Sequence, residues 1–338
     1  MPELATPYLV FLGATANATD AKTGFGLVHW RPELCTGQLR YPGCSIDLGL
    51  PDLRPEEAVA AGAKSLVIGI AAFGGRLEAA WLATLVDALR AGLDVVSGLH
   101  MPLAANETLA RVARETGRRL VDVRVPPADI PVASGRRRSG RRVLTVGTDC
   151  CVGKKYTALA LERELRARSV PATFRATGQT GILIAGAGIP MDAVVSDFIA
   201  GAAELLSPDN DPEHWDVIEG QGSILHPAYA GVTVGLVHGS QPDAMVLCHD
   251  VSRTEIEGYS GFPVPPLTYY IDRYLELALL THPAPRVVGV SLNTAGLDSA
   301  ERQSVLEAVE RQTGLPAVDP VATGVAPLVD ALLDRQGS

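Results

Sequence analysis

Residues 147–155 read Gly-Thr-Asp-Cys-Cys-Val-Gly-Lys-Lys, after an apolar run and before a segment of helical spacing. In that context backbone N–H groups at a helix start bind an anion and a lysine neutralises it, which is the chemistry of a phosphate loop. Gly147, Thr148, Cys150, Cys151, Val152, Gly153, Lys154 and Lys155 are thus the expected contacts of a pyrophosphate. A nucleoside triphosphatase carries Ser or Thr directly after the lysine to ligate magnesium. Here that position is Lys155. A second cation replaces the charge of the missing ion if the pyrophosphate belongs to a molecule that is not cleaved there, such as coenzyme A, and no metal is expected. Cys150 and Cys151 are either small buried residues or, at a helix N-terminus that lowers a thiol pKa, carriers of an acyl group.

A second group, Asp216, Glu219, Gly220, Gln221, Gly222 and Ser223 with His226 just beyond, closes another apolar run. Open α/β sheets put ligands at the carboxyl ends of their strands, so Glu219 is a candidate base or metal ligand. The glycines either bring backbone N–H groups close to a substrate and a developing oxyanion, or only supply a turn. If an amine is to be acylated, a base must first take its proton, and Glu219, Asp149 and His226 are the candidates in that order. Asn293, at a further strand end, either reads an adenine or satisfies its own turn. Lys22, Arg40 and Arg175 are candidates for holding substrate carboxylates, with plain surface charge as the alternative, and Gln221, Gly222 and Ser223 are candidate substrate contacts. The histidines lack the close spacing of a zinc site.

Such residues need strand-to-helix turns to hold them, and apolar runs alternate with helical spacing from end to end, the pattern of parallel sheets covered by helices. Strands are expected at 8–12, 65–70, 94–97 and 120–124, then at 142–146, 172–176, 216–219, 244–248, 287–292 and 317–318. Helices are expected at 55–61, 77–91 and 106–116, then at 154–168, 191–206, 267–280, 300–313 and 325–333. The region around Lys22 and Arg40 reads as long and weakly structured. Proline pairs and the basic run at 136–142 break the pattern, so residues 1–130 and 142–338 are expected as two domains joined by a solvated linker at 131–141. A length of 338 residues suits two such cores.

The balance of 29 basic against 38 acidic residues gives −9, which leaves no global positive field for nucleic acid. No apolar run approaches the roughly 18 residues that span a bilayer, so no membrane partner is expected. Five cysteines, an odd count without a leader sequence, fit a reducing cytoplasm. No G-x-G-x-x-G dinucleotide fingerprint follows the first strand.

The 147–155 segment, with its glycines six apart, resembles the dethiobiotin synthetase branch of P-loop proteins. The alternative reading is therefore an ATP- and magnesium-dependent ligase or kinase. The chain as a whole resembles a family catalogued as a domain of unknown function, through Lys22-Thr23, 69–75, 98–100, 147–154, 219–227 and 291–294. The resemblance implies a Rossmann-like parallel sheet followed by a P-loop NTPase-like parallel sheet. Some members of that family are D-glutamate N-acetyltransferases, so it also implies acetyl transfer from acetyl-CoA to the amine of D-glutamate, an acyltransferase step of D-amino acid catabolism. A homo-oligomer is expected.

Overall fold

The computed structural model describes residues 4–18, 20–70 and 75–334. It divides into two compact units, one of Met1–Pro127 with Gly178–Pro190, the other of Ala128–Thr177 with Met191–Ser338.

The first unit runs β1 (Tyr8–Gly13), α1 (Lys22–Trp30), β2 (Cys35–Arg40), α2 (Pro55–Ala60), β3 (Ser65–Ile68), α3 (Leu82–Ala91), β4 (Asp94–Ser97), α4 (Glu107–Thr116) and β5 (Leu120–Asp122). Its sheet is parallel throughout, in the order β2-β1-β3-β4-β5. All six residues of β1 are buried, as a central strand covered on both faces requires. Asn106 caps α4 by accepting from the Leu109 N–H, and Gly117 ends that helix in the left-handed region. The order reverses between β1 and β3, so the crevice of this sheet lies beyond the carboxyl ends of those two strands. Of the 69–75 motif, residues 71–74 lie outside the described residues.

The stretch expected to be weakly structured instead contains α1 and β2. Strand β2 carries few apolar residues, but its pairing with β1 satisfies its backbone. The buried Gln38 side chain holds the loop that follows, donating to Asp47 at 2.9 Å and the Leu50 carbonyl at 2.8 Å and accepting from the Leu48 N–H at 2.9 Å.

The second unit contains β6 (Arg141–Gly147), α5 (Lys154–Ala167) and β7 (Ala172–Arg175). The chain then leaves for the first unit as α6 (Gln179–Ala185), which packs on α1 with Thr23 and Thr180 hydroxyls 2.9 Å apart. It returns as α7 (Ile199–Leu206), β8 (Trp215–Ile218), α8 (Ala230–Ser240), β9 (Ala244–Asp250), α9 (Leu267–Leu279), β10 (Arg286–Asn293), α10 (Ser299–Thr313), β11 (Ala317–Val318) and α11 (Ala326–Leu333). These strands are also all parallel, in the order β11-β10-β9-β6-β8-β7. Strand β6 is therefore central, with the ends of β8 and β9 beside its own.

Helix α8 has no polar face to reveal it in the sequence, because small and apolar residues run all round it. Gly235 lies against Ile199 and Gly239 against the Ala200 backbone. Residues 191–206, expected as one helix, form two 3-10 turns before α7. The expected linker is not merely solvated, because Arg138 and Arg142 are buried. Arg138 donates to the Ser207 and Gly239 carbonyls, each at 2.7 Å, and so closes the C-terminal ends of α7 and α8.

Candidate active site

The turn between β6 and α5 carries two residues in the left-handed region, Cys151 at φ 59° and Gly153 at φ 102°. That conformation turns successive N–H groups inward, toward the start of α5, and forms a nest for an anion. Lys154 is buried, and its ammonium donates to the Asp149 carbonyl at 2.7 Å. Two tyrosines fix the loop from below. Tyr270 donates to the Thr148 carbonyl at 3.0 Å, and Tyr274 donates to the Gly147 carbonyl at 2.8 Å while accepting from the Ile224 N–H at 3.1 Å. Tyr274 thus ties the phosphate loop to the turn after β8. Thr157, on the first turns of α5, is tethered to Ser291 of β10 at 2.7 Å.

Beside the loop, β8 is followed directly by Glu219, which is buried. Its Oε2 accepts from the Thr177 N–H at 2.9 Å, and the Thr177 hydroxyl donates to the Glu219 carbonyl at 2.7 Å. Gln221 donates in turn to the Thr177 hydroxyl at 2.9 Å. Gly220 is obligatory here, because a Cβ would stand 1.7 Å from the Thr145 carbonyl oxygen and 3.1 Å from the Lys154 stem. The backbone after Glu219 therefore runs against β6 and brings the Lys154 stem beside Gly220.

Asp149 is fully buried, with Oδ1 accepting from the Cys150 N–H at 2.6 Å, Oδ2 accepting from the Glu257 N–H at 2.8 Å, and Arg253 at 3.5 Å. It organises the loop. His226 Nδ1 accepts from the N–H groups of Ala228 and Tyr229 at 3.1 and 3.2 Å, which puts the ring proton on Nε2, 3.7 Å from Asp149 Oδ1. Burial lowers the His226 pKa, with Asp149 opposing and Lys154 reinforcing that shift. A neutral ring in this tautomer offers a donor. Asp149, Cys150 and His226 bring their ligand atoms within 4.8 Å of one another, the grouping best placed to hold a metal among the described residues. A metal-bound Nε2 would need its lone pair and a proton on Nδ1, where two N–H groups already point.

Burial pushes the Cys150 thiol up to about 11, outweighing the nearby Lys154. Of the two readings of this cysteine, burial favours the small buried residue.

On the other side of the loop, Cys151, Gly153, Tyr156 and Asn293 line a cavity of about 390 Å3, completed by Arg302 and residues 319–322. Asn293 donates to Asp250 at 2.8 Å and accepts from the Ala295 N–H at 3.2 Å, so its amide is held rigidly at the cavity wall.

Residues 131–329 match a family described as a P-loop domain of unknown function, DUF1611_C, and residues 40–126 match DUF1611_N, described as a Rossmann-like domain. The crystal structure of a DUF1611 family protein from Anabaena variabilis ATCC 29413 is similar at 35% identity and a TM-score of 0.87, covering 97% of this chain and 99% of that one. The chain belongs to the DUF1611 family. Two curated relatives, both called D-glutamate N-acetyltransferase, come from Tritonibacter scottomollicae and a Pseudoalteromonas species. They are 52% and 42% identical to it, each over 97% of this chain and over 99% and 98% of their own lengths.

In this DUF1611 chain the phosphate loop, Glu219, Gln221, Gly222, Ser223, His226 and Asn293 all lie on the second unit, at the carboxyl ends of β6, β8 and β10. Of the predicted carboxylate holders, Arg175 lies on the second unit and Lys22 and Arg40 on the first. Arg175 donates to the buried Asp216 at 2.8 Å, and Asp216 lies two residues short of the strand end. Lys22 opens α1 and Arg40 ends β2, both in the first unit, where Arg40 is engaged by Asp52 and the Ile46 carbonyl. Sequence reasoning missed Tyr270, Tyr274, Thr177, Arg253 and Arg302. The tyrosines had a signal, since residues four apart on a predicted helix share a face. No helix among the described residues is long and apolar enough to cross a membrane.

Proposed function

We propose that the protein transfers the acetyl group of acetyl-CoA to the amine of D-glutamate, a step in D-amino acid breakdown. The observation that carries this is a phosphate loop with Lys155 in the magnesium-ligand position, opening beside a cavity suited in size to an adenosine. The CoA pyrophosphate lies on residues 147–155, charge-balanced by Lys154 and Lys155, and the adenosine enters the cavity beside Tyr156 and Asn293. The near full-length relationship to two proteins called D-glutamate N-acetyltransferase supports the acceptor and the group transferred.

Glu219 takes a proton from the ammonium of the amino acid, because an ammonium has no lone pair with which to attack. The amine nitrogen then forms a bond to the thioester carbonyl carbon, the C–S bond breaks, and the departing CoA thiolate takes up the extra proton that the nitrogen still carries, leaving the amide and CoA thiol. Backbone N–H groups of 221–223 stabilise the tetrahedral oxyanion; that of Gly220 is already given to the Thr145 hydroxyl at 3.0 Å. His226 contributes a neutral donor and Asp149 holds the loop. Transfer is direct from thioester to amine, and the Cys150 thiol, pushed up to about 11 by burial, is a poor acyl carrier at neutral pH.

Thermal shift with acetyl-CoA, CoA, ATP with magnesium, D-glutamate and L-glutamate tests the reading. Acetyl-CoA and CoA should stabilise the protein equally with and without chelator. Stabilisation by ATP with magnesium alone would favour a ligase or kinase instead.

A further inference from the structure

The cavity beside the phosphate loop is lined by two charged side chains among the described residues, Asp319 and Arg302. The Asp319 carboxylate is turned into the protein. Its Oδ2 accepts from the Thr294 N–H at 3.1 Å and from the Thr294 hydroxyl, while Oδ1 accepts from the N–H groups of Val321 and Ala322 at 2.8 and 2.9 Å. Four donors from the surrounding turns thus hold its charge.

Arg302 is placed differently. Its Nε donates to the Thr294 hydroxyl at 2.9 Å and an Nη2 proton to the Leu297 carbonyl at 3.2 Å. These bonds fix the plane of the guanidinium and use two of its five N–H donors. The same side chain lines the cavity, so a fixed cation stands where a nucleoside would sit. Adenine and ribose are neutral and give a guanidinium no counter-charge, and the 5′ phosphates have their own nest at 147–155. Coenzyme A differs from ATP and from dephospho-CoA in carrying a phosphate on the ribose 3′ oxygen, a dianion that a planar guanidinium binds in bidentate fashion.

We propose that Arg302 binds the 3′-phosphate of coenzyme A and makes the site selective for CoA thioesters over dephospho-CoA and adenosine nucleotides. This rests on the reading of acetyl-CoA as donor. Asn293 and Tyr156 hold the nucleoside, and Arg302 distinguishes which nucleoside phosphate is accepted.

The test is calorimetric titration of the whole protein with CoA and with dephospho-CoA at low and high salt. Wild-type protein should bind CoA at least about tenfold more tightly at low salt, the ratio shrinking as salt screens the charge. The Arg302→Gln variant retains a donor for Thr294 and should bring CoA down to the affinity of dephospho-CoA while leaving the latter unchanged. Equal affinities in the wild type would overturn the proposal without touching the donor assignment, and need no variant to fold. Equal weakening of both ligands by Arg302→Gln would also overturn it, showing that Arg302 only supports the wall. If neither CoA nor dephospho-CoA binds, the donor assignment itself fails and takes the inference with it.

Discussion

Replacing Glu219 with Gln separates the two roles that its geometry allows. The amide keeps the size of the side chain, and its oxygen can still accept from the Thr177 N–H, now 2.9 Å from Oε2. At the Thr177 N–H the loss is that of charge assistance, worth about 1 kcal/mol. For a unit of this size that lowers Tm by roughly 2–4 °C. A base, by contrast, contributes about 10²–10⁴-fold to turnover, or roughly 3–5 kcal/mol. The two contributions differ enough to be told apart in one experiment. Initial rates of CoA release at saturating acetyl-CoA and D-glutamate should fall at least about a hundredfold in Glu219→Gln, with the Kd for acetyl-CoA within about threefold of wild type. A turnover loss of only a few-fold, in step with the loss of stability, would refute the assignment and leave Glu219 as the residue that pins Thr177.

The Tyr274→Phe variant should weaken acetyl-CoA binding by about tenfold, because the Ile224 N–H and the Gly147 carbonyl lose a shared partner and the loop loses its anchor, as titration would show. Replacing both Cys150 and Cys151 with Ala should preserve most of the turnover and a sequential kinetic pattern; an acetylated protein mass after exposure of wild type to acetyl-CoA alone would contradict this. The Arg138→Met variant should lose about 3 kcal/mol and melt roughly 6–12 °C lower, since the ends of α7 and α8 lose a buried charged donor, with acetyl-CoA affinity unchanged below the transition.

Much of the scaffold is legible in the sequence because strands buried on both faces leave uninterrupted apolar runs, as in Tyr8–Gly13 and the first five residues of Ala244–Asp250. The phosphate loop is legible because its glycines, lysine and flanking periodicity are local. What local pattern cannot show is pairing. Strand β2 is polar and exists through its partner β1, and α8 lacks an amphipathic face because α7 packs closely against its glycines. The excursion of Gly178–Pro190 into the first unit leaves no mark in composition either. The site follows the same division. Glu219 stands out as an acid at a strand end, whereas the engagement of Arg175 by Asp216 and of Arg40 by Asp52 depends on contacts across 41 and 12 residues of chain. The Cys150 pKa is set by burial, which a helix-start rule does not contain.

Acetyl transfer to one enantiomer of one amino acid is tested most simply by chiral mass-spectrometric product analysis after incubating the purified protein with acetyl-CoA and either D- or L-glutamate, in the presence of chelator. N-acetyl-D-glutamate should form in amounts matching the CoA released, with little product from L-glutamate. Absence of the acetylated D-product, or its formation only with ATP and magnesium, would contradict it.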